Sequence, residues 1–175
     1  GYLATHRLLG VGFFCDQMIV GGAYLVRRPA RVVTRRPRDW LLAFGGTFTA
    51  VLLRPTGIHA GWGNTAGVAL QVVGLVVCVS SFLVLGRSFG FAAADRGLVT
   101  RGPYAVVRHP IYAGYVLSQL GYVLQSISLA NIAVFLFASA FNVGRSLVED
   151  DVLTTNPDHR VYRTRVRWRM VPGIW

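Results

Sequence analysis

The 34 residues from Ile111 to Gly144 contain no Asp, Glu, Lys or Arg. As one α-helix, at ~1.5 Å per residue, they would extend about 51 Å, well beyond the ~30 Å of hydrocarbon in a bilayer. A tract of that length has to fold back on itself. The polar cluster Gln125, Ser126, Ser128 and Asn131 supplies the place to turn. The spacing therefore predicts a helical hairpin, 111–125 and 129–148.

Three further charge-poor stretches precede it. Thr65 to Gly86 holds 22 residues without a charge, and Leu8 to Val26 is interrupted only by Asp16 and Gln17. Trp40 to Leu53 has 14 residues and is short for a full crossing. Together they predict an all-α membrane protein of about five transmembrane helices, the last two a hairpin, in one integral-membrane domain over 1–175, with three membrane helices within 1–86. Composition agrees: 53% of the residues are hydrophobic and 14% charged, against about 25% charged in a soluble domain.

The net charge of +11 invites a nucleic-acid reading, but the positions of the charges argue against it. All 18 basic residues are arginines. Segment 27–39 carries six, segment 87–110 carries Arg87, Arg96, Arg101 and Arg108, and the chain from Arg145 onward carries six more; the alternate side keeps Arg7 and Arg54. Sixteen against two on alternating loops follows the excess of basic residues on cytoplasmic segments. This places the N-terminus outside and the C-terminus in the cytoplasm, with attraction to anionic headgroups accounting for the charge and no nucleic-acid partner. The Lys-free composition suggests a GC-rich bacterial genome, hence the bacterial inner membrane.

The first span, without a basic n-region before it or a small-residue cleavage site after it, reads as a retained helix. Within it Asp16 is expected to make a buried interhelical hydrogen bond. Cys15 and Cys78 fall inside spans without C-x-x-C spacing and read as buried, inert thiols, with no metal site. Gly61, Gly63 and Ala66 fit G-x-G-x-x-A, yet they follow Arg54, Pro55, Gly57 and His59 and open a membrane helix; close helix packing explains them better than nucleotide binding.

The informative chemistry lies in the second half. Gly102-Pro103 favours a turn, and Pro110 favours the first turn of the following helix, where its missing N–H costs nothing. Tyr104, Arg108, His109 and Tyr112 are thus gathered at one mouth of that helix, where ordinary interfacial anchoring would also place Tyr and Arg. Arg145 and Glu149, four apart, share a helix face and read as an i,i+4 pair. Ionisable groups this close to hydrocarbon tend to face a polar cavity.

In combination, Leu98-Val99-Thr100-x-Gly102-x-Tyr104, Arg108-His109-Pro110-Ile111-Tyr112-x-Gly114, Arg145-x-x-x-Glu149, Tyr162 and Arg169-x-x-Pro172 resemble the isoprenylcysteine carboxyl methyltransferase family and its phospholipid methyltransferase relatives. The resemblance covers the C-terminal half, 87–175; the N-terminal half matches only as hydrophobic spans. It implies an integral-membrane enzyme that moves a methyl group from S-adenosylmethionine to a lipophilic small-molecule or lipid acceptor, with a cytoplasmic cofactor pocket built from the third loop and the C-terminal segment. By position, Arg96, Gly97, Leu98, Val99, Tyr104, His109, Pro110, Ile111, Tyr112 and Glu149 would hold the cofactor. Arg145 would bind the substrate and, with Glu149, serve catalysis.

The sequence departs from that pattern in three places. Glu149-Asp150 stands where two glutamates are common, His159 stands where tyrosine is common, and a polar cofactor contact found in some members falls near Phe89 and Gly90.

These residue types suit the chemistry. Aromatic faces such as Tyr104 and Tyr112 attract a cationic sulfur, and Glu149 can pair with an ammonium. Methyl transfer needs mainly positioning and exclusion of water. For a carboxylate acceptor Arg145 offers a forked contact; for an amine or thiol, Glu149 or His109 is the candidate base. Carboxyl O-methylation of an isoprenylcysteine-like or other lipid-like substrate leads, ahead of phospholipid N-methylation or thiol S-methylation. Two other classes remain: an NADPH-dependent sterol-type membrane reductase, whose relatives are generally longer, and a non-enzymatic membrane protein in which the charged groups serve packing.

Overall fold

The structure, a computed structural model, describes residues 18, 21, 22, 25–56 and 61–174. The 8–26 span lies largely outside the described residues, and with it Cys15 and Asp16.

Each described helix starts where the chain offers it a beginning. Pro37 occupies the first position of α1, Pro37–Phe48, which tightens into a 3₁₀ turn over Thr49–Leu52. Helix α2 runs Gly61–Leu85, with Gly61, Gly63 and Ala66 in its opening turns, and α3 runs Pro110–Gln125 with Pro110 at its start. Ser128 caps α4, Leu129–Leu153, by accepting the Asn131 N–H at 3.1 Å. Asn156 caps the short α5, Pro157–Arg165, by accepting the Asp158 N–H at 3.0 Å. The hairpin turn thus falls at 126–128, between the two helices that the sequence predicts.

Two of these helices are long and apolar enough to cross a bilayer, over Gly63–Ser88 and Leu129–Leu153. The segments expected as spans at 40–53 and 111–125 form helices of 12 and 16 residues, shorter than the ~20 residues of a straight crossing.

The arginine-rich segments meet at one end of the bundle. Strand β1, Val32–Val33, pairs antiparallel with β2, Ala94–Asp95, and Arg28 N–H donates to the Arg87 carbonyl at 2.7 Å. The C-terminal tail joins them, because Arg108 and His109 N–H donate to the Trp168 and Arg169 carbonyls at 2.9 and 2.7 Å. Arg54 lies at the opposite end, where Asn131 Nδ2 bridges the Arg54 and Ser126 carbonyls at 2.8 and 2.7 Å. This is the segregation that the charge count predicts.

Polarity runs inside out. Leu41, Phe44, Val76, Leu83, Leu136 and Phe137 are exposed, whereas Ser81, Asn142 and Ser146 are completely buried. An apolar skin over a polar seam suits hydrocarbon surroundings, in which polar side chains turn inward.

Helices α2 and α3 approach closely at two glycine pairs. A Cβ on Gly67 would stand 2.5 Å from the Gly121 carbonyl, and one on Gly74 would stand 2.6 Å from the Gly114 carbonyl. Cys78 is buried at the same seam, its Sγ 3.6 Å from the Ile111 carbonyl.

Candidate functional site

At the arginine-rich end a cavity opens between the 88–99 loop, the start of α3, the last turns of α4 and the face of α5. The loop turns at Gly97, whose φ of 105° lies in a region that a side chain disfavours. Asp95 holds that turn from both sides: one oxygen accepts Gly97 N–H at 3.0 Å and the other accepts Asn156 Nδ2 at 3.2 Å. Arg96, Gly97, Leu98 and Val99 consequently form one wall. The Arg96 guanidinium crosses directly over Gly90, where a Cβ would collide with it, and donates through Nε to the Arg28 carbonyl at 3.2 Å.

Tyr104 enters from a 3₁₀ turn over Gly102–Ala105, with Gly102 at φ 59°. Burial raises its hydroxyl well above the ordinary value of 10.0. Its carbonyl accepts the Tyr162 hydroxyl at 2.6 Å, which fixes α5 against the loop.

The opposite wall brings the two separated motifs together. Tyr112 donates its hydroxyl to Glu149 Oε1, across 37 residues of chain. The His109 ring stacks on Tyr112 with centroids 5.8 Å apart, and its Nδ1 lies 3.6 Å from Glu149 Oε2. His109 Nε2 donates to Asp150 Oδ1 at 3.0 Å. Burial alone would lower the His109 pKa, but the hydrogen bonds to Asp150 and Glu149 outweigh it and raise the value above 6.5. Ile111 reaches the cavity, while Pro110 is buried outside its lining and fixes the helix start.

Arg145 and Glu149 both line the cavity, but they do not form the expected direct pair. The Arg145 guanidinium lies over the Tyr112 ring, 4.9 Å from its centroid, so Tyr112 stands between them. Thr47 Oγ1 and the Phe91 carbonyl accept from its two Nη atoms at 3.1 and 2.9 Å. The sequence reading missed both partners, since nothing in α1 or in the loop marks Thr47 or Phe91 as polar contacts.

It also passed over Asp150, which organises this end of the molecule. Asp150 Oδ2 accepts Arg108 Nη2 at 3.0 Å and Arg169 Nε at 2.9 Å, and the carboxylate is 1% exposed. Arg108 Nη1 in turn reaches the Val166 and Arg167 carbonyls at 2.9 and 2.7 Å. The tail is thereby sewn to the start of α3. An acid beside Glu149 and two arginines within the matched motifs were the available signal.

Chemically, the cavity offers one carboxylate with part of its surface open, the rings of Tyr104 and Tyr112, a guanidinium held in plane and the wall formed by residues 96–99. Glu149 has a 21% exposed side chain, whereas Asp150 is saturated by three donors. Among the described residues no cluster of His, Cys, Asp and Glu is arranged to hold a metal ion.

Residues 62–156 match the model of the phospholipid methyltransferase family. Protein-S-isoprenylcysteine O-methyltransferase A of Arabidopsis thaliana is 29% identical over 86 residues, which is 46% of this chain and 44% of that protein. The solved structure of the eukaryotic intramembrane Ras methyltransferase, an isoprenylcysteine carboxyl methyltransferase, superposes with a TM-score of 0.58 at 24% identity, over 82% of this chain and 55% of that one. The chain thus spans about half the length of these relatives.

Proposed function

The chain belongs to the phospholipid methyltransferase family, and we propose that it transfers a methyl group from S-adenosylmethionine to a lipophilic acceptor in this cavity. The observation that carries the proposal is the meeting of Tyr112 and His109 with Glu149 in one cavity wall. The donor set fits the cofactor: a partly open carboxylate for its ammonium and the Tyr104 ring for its sulfonium.

In this reading Arg96, Gly97, Leu98 and Val99 form the bed, Tyr104, His109, Ile111 and Tyr112 form the sides, and Glu149 takes the ammonium. Pro110 serves by fixing where α3 begins. When bound, the cofactor supplies an electrophilic methyl group on a positively charged sulfur. Tyr112 and His109 hold Glu149 in place, and the apolar wall excludes the water that would compete for the methyl group.

Arg145 faces the acceptor. Thr47 and Phe91 take two of the five guanidinium hydrogens and fix its plane, which leaves three to receive a carboxylate. Carboxyl O-methylation of an isoprenylcysteine-like or similar lipid acid is therefore favoured over amine or thiol methylation, which would call on Glu149 or His109 as base. In this reading the protein resides in a membrane, and the charge-poor sequence segments 8–26, 40–53 and 111–125 count towards five spans. The arginine-rich end and the cofactor cavity face the cytoplasm of a bacterial inner membrane.

Titration calorimetry of the detergent-solubilised chain tests the cofactor, and labelled-methyl transfer over a membrane lipid extract tests the acceptor. The expected result is saturable binding of S-adenosylhomocysteine and a labelled apolar product. Binding of NADPH instead, or of neither ligand, overturns the proposal.

A further inference from the structure

His159 stands in the first turn of α5, is 2% exposed and lines the cavity, yet its Nδ1 has no hydrogen-bond partner. Leaving a buried polar atom unpaired costs about 1–3 kcal/mol, so the position calls for a reason. The adjoining polar groups bond elsewhere. Tyr162, whose ring lies edge-on to His159 at 5.7 Å, gives its hydroxyl to the Tyr104 carbonyl. Asp150 is occupied by Arg108, His109 and Arg169. Asn156, three residues earlier, holds Asp95 at the root of the loop.

The charge and apolarity of the cavity are also distributed unevenly. Glu149, His109, Arg145, Arg96 and Arg108 bring charge to the cavity, whereas Leu153 at the end of α4, Tyr162 and His159 on α5, and Leu98 and Val99 from the loop bring apolar and aromatic surface. Burial lowers the His159 pKa below 6.5, so the ring is neutral at physiological pH and presents one acceptor and one donor. Such a wall suits a flat, uncharged heteroaromatic group with a hydrogen-bonding edge, while the charged side suits an amino-acid group.

Resting on the methyltransferase reading above, we propose that His159 is a specificity residue that accepts a hydrogen bond from the exocyclic amino group of the cofactor's adenine. The imidazole replaces the water that the amino group loses on entering the cavity. A ligand without that group leaves the ring nitrogen unpaired, and discrimination follows from that difference.

The test is calorimetric and independent of turnover. The full-length wild type, His159→Phe and His159→Gln are each titrated with S-adenosylhomocysteine and with its analogue bearing hydrogen in place of the 6-amino group. The wild type is expected to favour the amino-bearing ligand about tenfold, the size of one net hydrogen bond. His159→Phe should bind both with the wild type's affinity for the analogue, and His159→Gln, which keeps an acceptor, should regain part of the preference. An undiminished preference in His159→Phe, equal weakening of both ligands, or no preference in the wild type overturns the assignment. A wild type that binds neither ligand overturns the methyltransferase reading as well, whereas binding without discrimination leaves that reading standing and removes only the role of His159.

Discussion

Arg108 donates from Nη2 to Asp150 Oδ2 at 3.0 Å, tying the entry of α3 to the last turns of α4. Because Asp150 also accepts from His109 and Arg169, its removal leaves buried cations without a counter-charge. Breaking a buried pair from one side typically costs about 3–5 kcal/mol. Asp150→Ala is therefore expected to lower the thermal midpoint in detergent sharply, with Asp150→Glu milder. A midpoint that does not move for Asp150→Ala would show that the tail is held by other means.

The cofactor and acceptor roles proposed for these residues separate by substitution. Glu149→Ala and His109→Ala should each weaken S-adenosylhomocysteine by at least about tenfold, the scale of a charge-assisted hydrogen bond. Tyr112→Phe should weaken it less, since the ring over which Arg145 lies is kept. Arg145→Ala should leave cofactor affinity near that of the wild type and reduce turnover, and Arg145→Lys should recover little, because Lys lacks the planar fork. Calorimetry and methyl-transfer rates read the two effects apart. Equal loss of cofactor affinity in Arg145→Ala would reassign that residue to the cofactor.

The hairpin and its turn are legible in the sequence because they follow from local rules. A charge-free tract too long for one helix, broken by Gln125, Ser126 and Ser128, can turn nowhere else, and Ser128 caps the second arm. The charge asymmetry likewise foretells that segments 27–39, 87–110 and the tail share one end. Longer-range pairing escapes such rules. The i,i+4 spacing of Arg145 and Glu149 suggests a direct bridge, but Tyr112 arrives from another helix and offers both of them a better-placed partner. The hub at Asp150 is invisible for the same reason: its partners lie 42, 41 and 19 residues away, and no periodicity encodes that choice. The two-residue ladder of β1 and β2 is too short to leave an alternating pattern.

Stability should depend on pH through His109. Its value in the fold lies above 6.5, so its contribution is fully present below 6.5 and is lost as the pH rises through the folded value. His159, lowered by burial, acts in the opposite sense and costs stability as the pH falls beneath 6.5. Comparison of wild type with His109→Gln isolates the first effect: the wild-type midpoint should fall on going from weakly acidic to weakly alkaline solution, and the variant should lack that fall. Parallel curves for the two proteins would mean that His109 does not hold a proton between the carboxylates.

The last prediction concerns the scaffold beneath the site. Gly67 and Gly74 are seven residues apart on α2, as are Gly114 and Gly121 on α3, and the antiparallel helices bring 67 against 121 and 74 against 114. At each pair the added Cβ would meet main-chain oxygen, 2.5 Å away for Gly121 and 2.8 Å away for Gly114, with Cys78 Sγ at 2.5 Å from the latter. Backbone cannot yield as a flexible side chain can, so the helices must part. Overpacking of this kind typically costs about 1–3 kcal/mol. Because Gly114 lies within the first turns of α3, near His109 and Tyr112, parting there also moves the cavity wall. Gly121→Ala should therefore lower the thermal midpoint with little change in S-adenosylhomocysteine affinity per folded molecule, whereas Gly114→Ala should lower both. Identical binding by the two variants would show that the cavity wall is uncoupled from the α2–α3 seam.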